Sequence, residues 1–310
     1  MARGWRVVDA TSLVGVVSGS RGRITFTPDG GATTEVPAEE LAVVLIGIKT
    51  TVTSAALHYL TKHDIAFLGA DWRGVPFAGL FSWGDHTRVA ARHIAQANVS
   101  LPRAKNAWMQ IVRAKIRGQA ANLRLTDAGG AGVLDRYAKD VKSGDPNNAE
   151  GAAARHYWQR LFSGHERFTR DQDGGDPVNA MLNYGYMVLR GHGIRAVLGA
   201  GLAPPLGVFH RGRSNYFNLV DDLIEPFRPA IDSVVVNLGV DANLDSPEVK
   251  HQLVEAAAQP FSPEGYRVPA VLDDLAQQLG RYFEGDVDRL TVQAWSGPVA
   301  ESQESSDGNE

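Results

Sequence analysis

Several carboxylates and one histidine stand where a purely structural chain has little use for them. Glu150 follows the helix opener Asn147-Asn148 and shares one helical stripe with Ala153, Ala154, Tyr157 and Leu161, a face of small apolar and aromatic side chains. A carboxylate there is costly unless a cation or hydrogen bonds compensate it. A first-turn Glu also complements the helix dipole, and spacing alone leaves both readings open. A second cluster begins at His210-Arg211-Gly212-Arg213 and runs through Asn218, Asp221, Asp222 and Glu225 to Pro226. Asn218, Asp222 and Glu225 fall at i, i+4 and i+7, a polar edge beside the apolar edge of Phe217, Val220 and Ile224. Three carboxylates in five residues repel one another. On a helix set between apolar aromatic segments they predict partial burial and a neutralising cation. His210 taken alone reads as a hydrogen-bonded core or loop histidine.

Carboxylates with one imidazole, in a chain without cysteine, suit Mg²⁺ or Mn²⁺. Such an ion neutralises non-bridging phosphate oxygens and polarises phosphorus toward in-line attack, so phosphate chemistry is the natural use. Arg211 and Arg213 beside His210 can hold neighbouring phosphates. A third stripe places Asn179, Asn183, Tyr186 and Arg190 together, where amide and guanidinium groups either orient the carboxylates or make plain helix–helix contacts. Between Thr87 and Arg124 lie eight cations, Arg88, Arg92, Arg103, Lys105, Arg113, Lys115, Arg117 and Arg124, and no Asp or Glu. Arg113 and Arg117 are four apart beyond Trp108 and share a face that can follow a phosphate backbone; a solvated face is the competing reading.

Four ordered motifs carry a resemblance: Glu150 to Trp158 (EGAAARHYW), Asn179 to Tyr186 (NAMLNYGY), His210-Arg211, and Asp222 to Pro229 (DLIEPFRP). From the β-rich start to about Phe283 the chain resembles CRISPR-associated protein 1, the metal-dependent endonuclease and integrase subunit of spacer acquisition, and most resembles its type II form. The resemblance implies Glu150, His210 and Glu225 as catalytic metal ligands, with Asp222 a further candidate and its neighbour Asp221 leaving open which of the two faces the metal. Arg103, Arg113, Arg117, Arg211 and Arg213 are the candidate DNA contacts, and Tyr157, Asn183 and Arg190 the supporting residues. It further implies an N-terminal dimerisation domain and assembly of two dimers around a dimer of CRISPR-associated protein 2 into a heterohexamer. The resemblance implies double-stranded DNA as the substrate, as fragment and as repeat array, and a type II effector nuclease as a further partner. The implied reaction joins 3′-hydroxyl ends of short foreign DNA into the array by transesterification. The same ligands also suit a nuclease that cuts branched DNA in repair, and a non-catalytic DNA scaffold is the third reading.

The positioning elements follow from pattern and composition. At 310 residues the chain has the length of about two domains, and 44% hydrophobic residues can fill a core in each. Without cysteine, disulfides, thiolate zinc sites, iron–sulfur clusters and a thiol nucleophile are excluded. A formal charge of −4 announces no global attraction to nucleic acid. No signal peptide and no run of about 18 apolar residues is evident, which predicts a cytoplasmic protein without membrane spans. Val7-Val8, Leu13–Val17 and Ile24–Phe26 read as a small meander, Ala42–Ile48 and Ile65–Gly69 as strands, and Thr50–Thr53 as the cap of a helix reaching His63. Helical spacing marks 87–96, 102–123, 149–162, 177–198, 216–225, 229–238, a helix from Ser246, and 269–283. The predicted class is α+β: a mostly β domain over 1–84, a larger helical catalytic domain over 85–298, and a disordered acidic tail over 299–310.

Overall fold

A computed structural model describes residues 6–71, 76–80, 82, 86–163, 168–171 and 174–298; the tail predicted over 299–310 lies outside them. The class is the expected one, a strand-rich region followed by a mostly helical one. Strands β1 (Arg6–Ala10), β5 (Leu41–Ile46), β7 (Ala66–Ala70) and β8 (Pro76–Leu80) form one sheet in the order β1-β5-β7-β8. Strands β2 (Gly15–Ser20), β3 (Arg23–Pro28), β4 (Thr34–Pro37) and β6 (Thr50–Val52) form a second in the order β4-β3-β2-β6. The expected meander holds for β2 and β3, which pair antiparallel, and β4 adds a third antiparallel strand that the sequence pattern did not mark. It does not extend to its neighbours: β1 pairs parallel with β5, and β5 parallel with β7. Thr50–Val52 also departs from the reading as a cap, because these residues form β6 beside β2. Thr53 alone caps α1 (Ser54–Lys62), its hydroxyl accepting from the Ala56 amide at 3.2 Å.

The continuous apolar run at β5 has a direct cause. Val44 and Ile46 point into a core shared with Val17, Ile24 and Leu60, while Val43 and Leu45 point the other way into the helical core. A strand covered on both faces cannot alternate polar with apolar residues. Hydrophobic packing therefore continues across the expected boundary near residue 84, with α6 (Pro177–Gly199) lying against β5 and β7.

The remaining helices are α2 (Val89–Ala97), α3 (Leu101–Leu125), α4 (Ala131–Asp140), α5 (Ala149–Leu161), α7 (Asn218–Ile224), α8 (Arg228–Leu238), α9 (Pro247–Ala256) and α10 (Val268–Glu284). Helix α4 is absent from the sequence reading. It begins behind Gly129-Gly130 and buries only Leu134 and Ala138, too few apolar positions to set a period. The stop expected at Pro226 is also softer than predicted. A 3₁₀ turn, Glu225–Phe227, carries the chain from α7 into α8, and Pro226 sits in its first turn, where no amide is needed. Glycines permit the tight fit around this junction: a Cβ on Gly118 of α3 would lie 2.9 Å from Pro229, and one on Gly185 of α6 only 2.5 Å from Ile231. Among the described residues no helix is long and apolar enough to cross a membrane.

Candidate active site

Three elements converge on one buried charge cluster. Helix α5 is capped by Asn148, which is held at φ 51° and whose side chain accepts from the Gly151 amide at 3.1 Å. Asp145 accepts from the Ala149 and Glu150 amides, each at 2.9 Å. The exposed amides of the first turn are thus already served by Asp145 and Asn148, and Glu150 is free for another task. Its Oε1 accepts from Lys115 Nζ of α3 at 2.6 Å. The same ammonium lies 2.6 Å from Oε2 of Glu225, whose Oε1 meets the Arg228 guanidinium at 3.2 Å. Burial opposes the charge on Glu225, but Arg228 and Lys115 outweigh it and hold its pKa below the ordinary value. Burial likewise opposes the charge on Lys115, yet Glu225 and Glu150 raise its pKa.

His210 stands beside this cluster on the loop before α7, fixed from below. Asp222 is wholly buried, and its two oxygens accept from the amides of Val208 (2.7 Å), Phe209 (3.1 Å) and His210 (3.1 Å) and from His210 Nδ1 (2.7 Å). Four donors occupy this carboxylate, so it sets the imidazole rather than facing an open site, and Nε2 becomes the outward nitrogen. The hydrogen bond to Asp222 raises the His210 pKa despite part-burial. Burial raises that of Asp222 against the pull of the same bond. Phe209 stacks on Trp108 of α3 at 4.2 Å and 1°, with the His210 ring edge-on to Trp108 at 5.9 Å. Asp221 accepts from Arg190 at 2.8 Å and Asn215 at 2.7 Å. Asp222 is thus engaged through both oxygens and Asp221 through Oδ2.

Of the supporting residues, Arg190 holds Asp221, whereas Asn183 accepts from Arg170 at 2.6 Å, as Asn179 does at 2.9 Å. Tyr157 is buried below the site, donating to Asp232 at 2.9 Å and accepting from Asn122 at 2.9 Å. Tyr186 also donates to Asp232, and its ring lies 4.6 Å from the Arg228 guanidinium. Sequence reasoning missed Lys115 and Asp232 as site residues. A usable signal existed for the first: Trp108, Ile111, Val112 and Lys115 share one helical stripe, which puts a cation on an apolar face.

Four of the eight cations in the acid-free segment are paired with acids from outside it. Arg88 and Arg92 pair with Glu284, Arg124 with Asp135, and Lys115 with Glu150 and Glu225. Arg103 stacks on Tyr282 at 4.2 Å and donates to the Tyr282 carbonyl at 2.8 Å, and Arg113 donates to the Val141 carbonyl at 2.8 Å. Arg117, Arg211 and Arg213 are exposed. The last two line a groove of about 590 Å³ that opens at His210, together with Leu101, Leu206 and Asn218. Arg113 and Arg117 therefore do not form the shared open face that their spacing suggested.

Among the described residues no three His, Asp or Glu side chains gather closely enough to form a metal cluster. The cation position between Glu150 and Glu225 is where the donor chemistry is nonetheless right: two carboxylates share it, and Glu225 Oε2 is buried without a hydrogen bond of proper geometry.

The sequence profile of the family described as CRISPR associated protein Cas1 matches residues 14–252. CRISPR-associated endonuclease Cas1 of Neisseria meningitidis serogroup C is 36% identical over 258 residues, 81% of this chain and 82% of that protein. The chain belongs to the Cas1 family. CRISPR-associated endonuclease Cas1 2 of Pyrobaculum aerophilum is 30% identical over 268 residues, 80% of this chain and 89% of that protein. The fold agrees with a casposase bound to integration product (TM-score 0.75, 19% identity, 92% of each chain). It agrees also with a Cas1 protein from Thermotoga maritima (TM-score 0.72, 17% identity, 94% of this chain and 99% of that one). A Cas6-RT-Cas1–Cas2 complex aligns at TM-score 0.74 and 20% identity, covering 96% of this chain and 36% of that one.

Proposed function

We propose that this Cas1-family protein is the strand-joining subunit of spacer acquisition, with Glu150, His210 and Glu225 as its metal-binding catalytic residues. The observation that carries the reading is the shared cation position: carboxylates from α5 and from the α7–α8 junction reach one point 2.6 Å from each, beside an imidazole oriented by a buried aspartate. A scaffold has no need of this arrangement, since burying two carboxylates for structure alone costs more than it returns. The two carboxylates that share this position fit a divalent ion. Glu150, Glu225 and the outward Nε2 of His210 would hold Mg²⁺ or Mn²⁺, which when bound stabilises the charge developing on the attacked phosphate.

The protein's own groups do the rest. Asp222 fixes His210 through Nδ1, which leaves Nε2 for a ligand. Arg228 holds Glu225 from the far side. Arg211 and Arg213 line the groove where DNA phosphates flanking the reacting one would lie. The 3′-hydroxyl oxygen of a fragment attacks phosphorus, the bond to the repeat strand's 3′-oxygen breaks, and the proton lost by one hydroxyl ends on the other. One phosphodiester replaces another, so no nucleotide cofactor is consumed. The test supplies 3′-hydroxyl fragments and a plasmid bearing leader and repeat: joined products support the integrase, whereas nicks alone support a nuclease using water.

DNA binding separates the arginines. Arg117→Ala should flatten the dependence of log affinity on log salt by about 0.9 per lost phosphate contact without altering sequence preference. Arg113→Ala should leave that slope unchanged and instead weaken the C-terminal end of α4, where it serves the Val141 carbonyl. Filter-binding titrations from low to high salt decide both, and an unchanged slope for Arg117→Ala returns that residue to simple solvation.

Two joinings at a fixed spacing need two sites, which an isologous dimer supplies in fixed opposition. The expected state is a homodimer held through the 1–84 region, whose two sheets end in β8 and β4. A dimer of the smaller CRISPR-associated protein 2 then bridges two such dimers on DNA, with a type II effector nuclease as a further partner. Light scattering at micromolar concentration checks the first step, where a monomer contradicts it.

A further inference from the structure

The cluster contains a cation that the proposed reaction does not use. We infer that Lys115 is an exchangeable counter-ion: its ammonium occupies the position between Glu150 and Glu225 and must be displaced for a divalent ion to bind there. This rests on the assignment of those two carboxylates as metal ligands.

Three observations carry it. Lys115 Nζ lies 2.6 Å from Glu150 Oε1 and 2.6 Å from Glu225 Oε2, so one monovalent charge bridges two carboxylates from different elements. The bridge is asymmetric: Nζ makes a directed hydrogen bond to Glu150, whereas buried Glu225 Oε2 meets it as a charge without hydrogen-bond geometry. A contact of that second kind is one that a spherical ion can replace without loss of directionality. Finally, the Lys115 side chain is only 14% exposed on a stripe with Trp108, Ile111 and Val112, so the ammonium has no solvent-facing reason to be there. Without a cation the two carboxylates would be driven apart; with Lys115 in place the site stays assembled before metal arrives. A divalent ion brings twice the charge to the same two oxygens, and the flexible four-carbon stem lets the ammonium leave without moving α3. Metal binding is then an exchange, and its apparent affinity carries the cost of expelling Lys115.

Mn²⁺ binding without DNA, read from the electron paramagnetic resonance signal of the free ion, tests this in the full chain. Lys115→Gln should bind Mn²⁺ at least about tenfold more tightly than wild type, since the competing charge is gone. Lys115→Arg should remain as weak as wild type, and Lys105→Gln, which removes an exposed charge from the same helix, should change nothing. Affinity in Lys115→Gln equal to or below wild type overturns the inference while leaving the ligand assignment standing. If wild type and Lys115→Gln both lack any Mn²⁺ site that Glu150→Gln/Glu225→Gln removes, the ligand assignment itself fails and takes the inference with it. Should Lys115→Gln not fold, reductive methylation of wild type decides. Lys115 should label slowly without metal and faster with Mn²⁺, with Lys105 as the internal reference, and unchanged labelling at saturating Mn²⁺ overturns the exchange.

Discussion

Glu150→Gln, His210→Ala and Glu225→Gln are each expected to lower strand joining by on the order of 10³-fold or more, because each removes stabilisation that exists only as charge builds on the attacked phosphate. The three differ in what they do to the fold. The His210 side chain is 41% exposed and its loop stays anchored by backbone amides on Asp222, so His210→Ala should melt close to wild type. Glu225 is 6% exposed between Lys115 and Arg228, and Glu225→Ala strips a carboxylate from two buried cations. Its cost is about 3–5 kcal/mol, the usual range for breaking a buried pair from one side. An intact fold is therefore expected of His210→Ala and not of Glu225→Ala. Glu150→Gln keeps the shape and one acceptor for Lys115, and by removing negative charge near the groove it should bind DNA at least as tightly as wild type. A strand-joining gel paired with a thermal melt checks each variant. Near-native joining with Mg²⁺ or Mn²⁺ in any of the three removes that residue from the ligand set.

The second large effect is expected at Asp232. This carboxylate of α8 is 1% exposed and accepts from the hydroxyls of Tyr157 and Tyr186. Tyr157 in turn accepts from Asn122, whose amide also donates to the Pro229 carbonyl at 2.7 Å, and Asn122 accepts from the buried Trp295 indole at 2.8 Å. One network thus ties α3, α5, α6, α8 and the C-terminal segment beneath Arg228 and Glu225. Asp232→Ala orphans two buried hydroxyls and should cost about 2–5 kcal/mol. Burial lifts the Asp232 pKa to about 6, against the pull of the two tyrosines. Between roughly pH 4 and 6 the folded protein holds a proton here that the unfolded chain has released. The stability this group contributes is therefore greatest below about pH 4 and declines as pH rises through about 6. Asp232→Asn cannot titrate, so wild type should exceed it in stability by more at pH 5 than at pH 7.5. Chemical denaturation of both proteins at the two pH values measures the difference, and an equal gap refutes a raised pKa.

Legibility followed the range of the interactions. Helices α3, α5, α6 and α10 were readable because each carries a long buried stripe and a Pro or Asn start, features that lie within the segment. Helix α4 was not, because two buried residues make no period. The apolar run of β5 announced a strand, but its parallel partners β1 and β7 come from either side in sequence, and periodicity says nothing of pairing.

The site divides in the same way. From residue types and spacing alone came Glu150 on the wrong stripe, the acidic edge ending at Glu225, the chemistry that such carboxylates and an imidazole can support, and the motifs of the Cas1 family. Those are properties of one face of one element, which period 3.6 fixes. Tertiary structure alone decided which charges are spent. Glu284 lies 196 residues from Arg88, and the bond joining them takes a cation out of a segment that reads as wholly basic. Asp222 became the support of His210 through amides of a loop 12 to 14 residues earlier, and Lys115 met Glu150 across 35 residues of chain. A charge is neutralised by whatever lies within a few ångströms of it, and Coulomb attraction depends on separation in space, which helical and strand periods do not encode.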